Sequence, residues 1–215
     1  MCWSAGVSLN TFILVCFAAV IGLVNNVMTI WDTAFLLSYG SMQLIEYFLW
    51  THIGNSKLNR VFSIVGLLAI MLQPLISILR IDVHGRPGNN KYKTGLLLAY
   101  TVFASVVLYL GVFTKFIDFR STVAKNGHLA WHWLTSFTKS WGILIFVWML
   151  LFFVPMIICK DYLSALFTVG VLLTSIFTFW KDETWGSMWC WVAAIASMHY
   201  IVQSFYVSGW CTSPK

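Results

Sequence analysis

The chain has 215 residues, 60% of them hydrophobic and only 9% charged, and its mean hydropathy is +0.82. A soluble domain carries about 25% charged residues, so this composition excludes a water-covered globule and points to an integral membrane protein. The net charge of +6 does not imply nucleic acid, because the 13 Lys and Arg are scattered through connecting segments with no dense run, in the manner of topology and headgroup charges.

A spanning helix needs about 20 mostly apolar residues. Reading for such runs predicts seven, at 6–26, 31–53, 59–80, 94–116, 140–159, 161–180 and 184–207. Backbone groups must be paired inside lipid, and the runs lack the alternation of a barrel, so the expected fold is all-α. It is a polytopic helix bundle in one domain over 1–215, with the lipid bilayer as its partner. The start "MCWSAGVSLN" has no basic n-region, so the first span is expected to be retained rather than cleaved. The 12 tryptophans suit anchoring at the headgroup level.

The second run contains "QLIEYFLW", where Glu46 stands out as the acid of the spanning stretches. Gln43, Glu46, Tyr47 and Trp50 follow i, i+3, i+4, i+7 and share one helix face. An ionised carboxylate in hydrocarbon costs several kcal/mol, so Glu46 is expected to face the bundle interior and find a partner or a proton. Two roles fit: a proton, cation or solute site, or a protonated acid that glues two helices. Pro74 in the third run removes a backbone donor, which kinks the helix or bares a carbonyl.

With seven spans, one membrane face holds the N-terminus, "HIGNSKLNR", the long 117–139 loop and "WKDETW". The other holds the 1–2 turn, "RIDVHGRPGNNKYK", "CKDY" and the tail. Lys and Arg divide seven (57, 60, 115, 120, 125, 139, 181) to six (80, 86, 91, 93, 160, 215), so the positive-inside rule sets no orientation. In the long loop, Trp131 and Trp133 predict a segment lying along the interface. His128 and His132 have the His-x-x-x-His spacing of helical metal ligands, and His52 on the same face offers a third zinc ligand; interfacial histidines beside tryptophan also occur without metal.

In the last run, His199 shares a face with Gln203 and Tyr206 and is expected to be buried and neutral, or to relay protons with Glu46. Gly186, Cys190, Ala194 and Ser197 form a small-residue row on roughly the opposite face, suited to close helix approach. The five cysteines (Cys2, Cys16, Cys159, Cys190, Cys211) have no metal spacing, and at most one membrane face is normally oxidising.

Taken together, "MCWSAGVS", "QLIEYFLW", "GHLAWHW" and "GSMWCWVAAIASMHY" make the chain resemble a family of small multi-pass membrane proteins of bacteria and giant viruses. That family opens Met-Cys-aromatic-Ser and has no assigned activity. The resemblance implies a multi-helix membrane fold and a functional unit of Cys2, Glu46, His128 and Cys190. "HLAWHWLT" is also similar to the His-x-x-x-His helix of alkaline ceramidases and adiponectin-receptor-like hydrolases, but there the motif lies in the last helix with a membrane Asp. No lysine in the last span can hold retinal.

Three functions are therefore carried forward. The first is a transporter or channel-like protein binding a small solute, ion or proton near Glu46, with Gln43, Tyr47, His199, Cys2 and Cys190 as its candidate companions. The second is a metal-dependent lipid hydrolase using His52, His128 and His132, and the third is a structural or assembly protein.

Overall fold

A computed structural model describes residues 4–84, 90–138, 142–188 and 191–207. Helices dominate: α1 (Ala5–Val24), α2 (Ile30–Thr51), α3 (Ser56–Leu79), α4 (Ile81–His84), α5 (Asn90–Phe113), α6 (His132–Thr138), α7 (Ile143–Ile158), α8 (Tyr162–Phe179), α9 (Trp185–Met188) and α10 (Trp191–Val207). Two short strands, β1 (Ser121–Val123) and β2 (Leu129–Trp131), pair antiparallel with Ser121 opposite Trp131. The chain is thus a membrane-type helical bundle.

Five stretches are long and apolar enough to cross a bilayer by length and composition, namely α1, α3 extended to Val83, α5, α8 and Trp185–Val207. By that measure the count is five rather than the expected seven, for two different physical reasons. Helix α7 has 16 residues, a rise of about 24 Å against a hydrocarbon core of about 30 Å. Helix α2 is long enough at 22 residues, but buried Asp32, Thr33, Ser38, Gln43 and Glu46 dilute its apolar character.

The helix starts follow ordinary capping chemistry. Ser4 Oγ accepts from Val7 N–H and Asn55 Oδ1 from Leu58 N–H, while Thr29 and Asp32 form a reciprocal capping box at α2. Glycine then sets helix spacing: a Cβ on Gly40 would lie 2.4 Å from Val15 Cγ1, so α1 and α2 pack with backbone against side chain. Pro74 in α3 has no N–H to give the Ile70 carbonyl. The Trp148 indole of α7 donates to that carbonyl instead, at 3.0 Å, so the carbonyl bared by Pro74 is used to join two helices.

Cross-helix contacts give the directions. Gly66 beside Ile45, Gln73 bonded to the Ser38 carbonyl and Arg80 bonded to Asp32 all fit one antiparallel α2–α3 register to within a residue. Helix α7 runs parallel to α3, with Trp148 on Ile70 and Ser77 Oγ donating to the Phe152 carbonyl at 2.9 Å. One end of the bundle therefore holds the β-hairpin, and the other holds Arg80.

The described part of the long connection, residues 117–138, departs from expectation. It is folded into the protein rather than laid over it: Leu129, Trp131, Trp133 and Phe137 are almost wholly buried, and the Trp131 and Trp133 rings stack with centroids 5.1 Å apart. Polar bonds hold it in the bundle end. Asn59 Nδ2 donates to the Ser121 carbonyl (3.0 Å), Ser121 N–H donates back to Asn59 Oδ1 (2.9 Å), and the Ser63 and Ser121 hydroxyls lie 3.1 Å apart. Gly127, at φ +79°, makes the tight turn that returns the hairpin.

Candidate functional site

Helix α2 is the polar axis of the bundle. Asp32, Tyr39, Gln43 and Glu46 are spaced 7, 4 and 3 residues apart, so at 3.6 residues per turn they fall on one face. All four are buried, Gln43 and Glu46 completely. Glu46 therefore has the interior orientation expected of a membrane carboxylate. It is not, however, the sole acid of its helix: Asp32 lies two residues into α2 and belongs to the same stripe.

The α2–α3 register sets Glu46 level with Val65, beside the Gly66 on which Trp133 packs. From the Gly40–Val15 contact, the antiparallel α1–α2 pair brings Glu46 level with Leu9, next to buried Ser8. Several buried polar atoms around the stripe have no hydrogen-bond partner among the described residues: Ser8 Oγ, Trp50 Nε1, Gln73 Oε1, Trp131 Nε1 and Trp133 Nε1. Leaving such groups unpaired costs about 1–3 kcal/mol each.

At the other end of the stripe, Arg80 closes α3 and reaches Asp32. Its Nε and Nη2 donate to Asp32 Oδ1 at 3.0 and 2.8 Å, with both side chains only 9% exposed. The remaining Asp32 oxygen accepts from Thr29 N–H at 3.1 Å and Thr29 Oγ1 at 2.7 Å. The Arg80 guanidinium carbon lies 4.7 Å from the Phe35 ring centroid. A second carboxylate, Asp161, stands 3.7 Å from Arg80 Nη2, beyond hydrogen-bond reach.

These charges line a cavity of about 320 Å³ between α2, the end of α3, α8 and α10, with Tyr39, Tyr200 and His199 in its wall. The volume falls within the range of small-molecule sites, about 300–1,000 Å³. His199 belongs here and is exposed rather than buried as expected; Glu46 is not part of this wall. The opposite face of α10 does carry the close-packing residues, with Ala193, Ala194 and Ser197 buried.

The three histidines are not brought together. His52 Nδ1 lies 2.9 Å from the Phe48 carbonyl and its ring packs on Phe62. His132 Nε2 lies 2.9 Å from Thr122 Oγ1, with Nδ1 3.4 Å from Glu183. His128 is buried against Phe179. The helical His-x-x-x-His geometry does not form, because β2 separates His128 from the start of α6. Among the described residues no three His, Cys, Asp or Glu gather as metal ligands. Tyr47 is half-buried against Phe48. Cys2 and Cys190 lie outside the described residues, while Cys16 and Cys159 are free.

The sequence reading missed Asp32, Arg80 and Asp161. Their signal was present: the period that groups Gln43 with Glu46 extends back to Tyr39 and Asp32, and Arg80 closes the third run. No protein-family model, curated protein or solved structure matches the chain.

Proposed function

We propose that the chain is a seven-crossing membrane protein of transporter or channel type, which moves a small solute, ion or proton along the polar face of α2. The observation that carries this reading is the stripe itself: Asp32, Tyr39, Gln43 and Glu46 on one buried face, with a ligand-sized cavity at its Arg80 end. Lipid-facing helices have no use for four such groups, each costly unless it is satisfied by protein, water or a passing ligand. The orphaned polar atoms of Ser8, Trp50 and Gln73 are further stations at which water or solute gains a bond. Helix α7, though short, and α2, though polar, complete the alternation of chain direction between the two ends.

Glu46, at the hairpin end of the stripe, is the group that takes up and releases a proton or holds a cation. The test uses proteoliposomes containing a pH-sensitive dye under an imposed pH gradient. The wild-type chain is expected to dissipate the gradient, and Glu46→Gln to slow it at least tenfold while eluting as the same folded species. Equal rates for the two proteins, or a wild-type rate no greater than that of protein-free vesicles, overturn the reading.

A further inference from the structure

We infer that the Arg80-end cavity is a binding site for an organic ammonium group, with Asp161 as the counter-ion. This rests on the reading of that cavity as the ligand end of the α2 stripe. Its charge balance is set by bonds on the page. Asp32 is saturated, one oxygen by Arg80 and the other by Thr29. Arg80 is in turn committed, giving Nε and Nη2 to Asp32 and lying against Phe35. These two charges cancel, and the described charged residues of the wall leave Asp161 as the excess carboxylate.

Asp161 is also the group with spare bonding capacity. It stands at the N-cap of α8, where an Asp carboxylate ordinarily accepts from the first turn. Here its side chain makes no capping bond, and it accepts no hydrogen bond among the described residues. Its nearest cation is Arg80 Nη2 at 3.7 Å. A carboxylate that faces a cavity and reaches only a guanidinium already neutralised by Asp32 still prefers a cation, and the rest of the wall selects which kind. Tyr39, Phe167 and Tyr200 supply aromatic rings, which attract ammonium groups through their faces. A hard metal ion is held by several carboxylates, and among the described residues no three His, Cys, Asp or Glu gather there. An anion would meet Asp161 with Arg80 already engaged.

The mouth fits an amphiphile. Leu163 of α8 and Ile195 of α10 line the cavity and are 80% and 41% exposed, on helices whose outward faces are apolar. An ammonium carrying an alkyl chain can therefore seat its head at Asp161 and lay its tail along that rim. Two sources present this chemistry: a free lipophilic amine, or the headgroup of a choline lipid.

The experiment titrates the full chain, in neutral maltoside detergent, with hexyltrimethylammonium and separately with hexyl sulfate by calorimetry. Saturable binding of the ammonium and none of the sulfate is expected. Asp161→Asn should weaken the ammonium at least tenfold, and Asp161→Glu should restore most of the affinity. Competition by sub-micellar dihexanoyl phosphatidylcholine assigns the headgroup as the source, and its failure assigns a free amine; both outcomes support an ammonium site. No saturable binding, tighter binding of the sulfate, or an Asp161→Asn variant that binds as the wild type does overturns it. The two readings fail separately. Glu46-dependent proton flux without ammonium binding removes only the site, and ammonium binding without flux removes only the transport.

Discussion

The pair Arg80–Asp32 is where single residues matter most. Both side chains are 9% exposed, so a charge that loses its ion-pair partner there is poorly hydrated. Arg80→Met alone is expected to destabilise the bundle by about 3–5 kcal/mol, because it strands a buried carboxylate. Asp32→Leu alone should cost less on the charge side, because Arg80 keeps Asp161 at 3.7 Å, but it also breaks the capping box with Thr29. The double variant should recover much of the loss, since replacing a buried pair by apolar groups is often close to neutral. Thermal unfolding of the four proteins in detergent measures the cycle; additive losses in the double variant would show that the pair does not act as a unit. Asp161, by contrast, is 31% exposed and meets Arg80 only at 3.7 Å, so Asp161→Asn should leave the melting temperature within a few degrees of wild type.

At the level of elements, the hairpin is held by polar bonds that sequence reading had no means to see. Asn59 and Ser121 are 62 residues apart and exchange two hydrogen bonds with nothing in local periodicity to announce them. Asn59→Ala leaves the buried Ser121 N–H and carbonyl without that partner, which is expected to cost about 1–3 kcal/mol for each. The cost should appear as local opening before global unfolding: faster amide exchange across Ser121–Val123 and Leu129–Trp131, with α2 and α3 protected. Uniform exchange throughout would mean that the hairpin is not separately anchored. The same residues explain what was legible. Glu46 and its face could be read because a helix repeats its environment every 3.6 residues. The burial of Trp131 and Trp133 could not, because indole suits an interface and a protein core equally well. His128 and His132 had helical spacing, but the chain there is a strand entering a helix, and spacing alone does not reveal that change.

For the whole molecule, the alternation of helix direction makes a topological prediction. The antiparallel α2–α3 register and the parallel α3–α7 pair place the 52–55 turn with the hairpin, and the 25–29 turn with Arg80 and Asp161. A bundle with only the five long apolar stretches as spans would drop α2 and α7 from the membrane. Dropping α2 would bring the 25–29 and 52–55 turns to the same side. Single cysteines at Asn26, Asn55, Lys93 and Lys125, in a background lacking the native cysteines, distinguish these arrangements. A membrane-impermeant maleimide applied to sealed, uniformly oriented vesicles should label Asn55→Cys and Lys125→Cys from one side. It should reach Asn26→Cys and Lys93→Cys only after the vesicles are opened, or the reverse order throughout if the orientation is inverted. Labelling of Asn26→Cys and Asn55→Cys from the same side would take α2 out of the membrane. It would also remove the physical reason for reading Asp32, Tyr39, Gln43 and Glu46 as a path between the two faces, since a path needs its helix to cross.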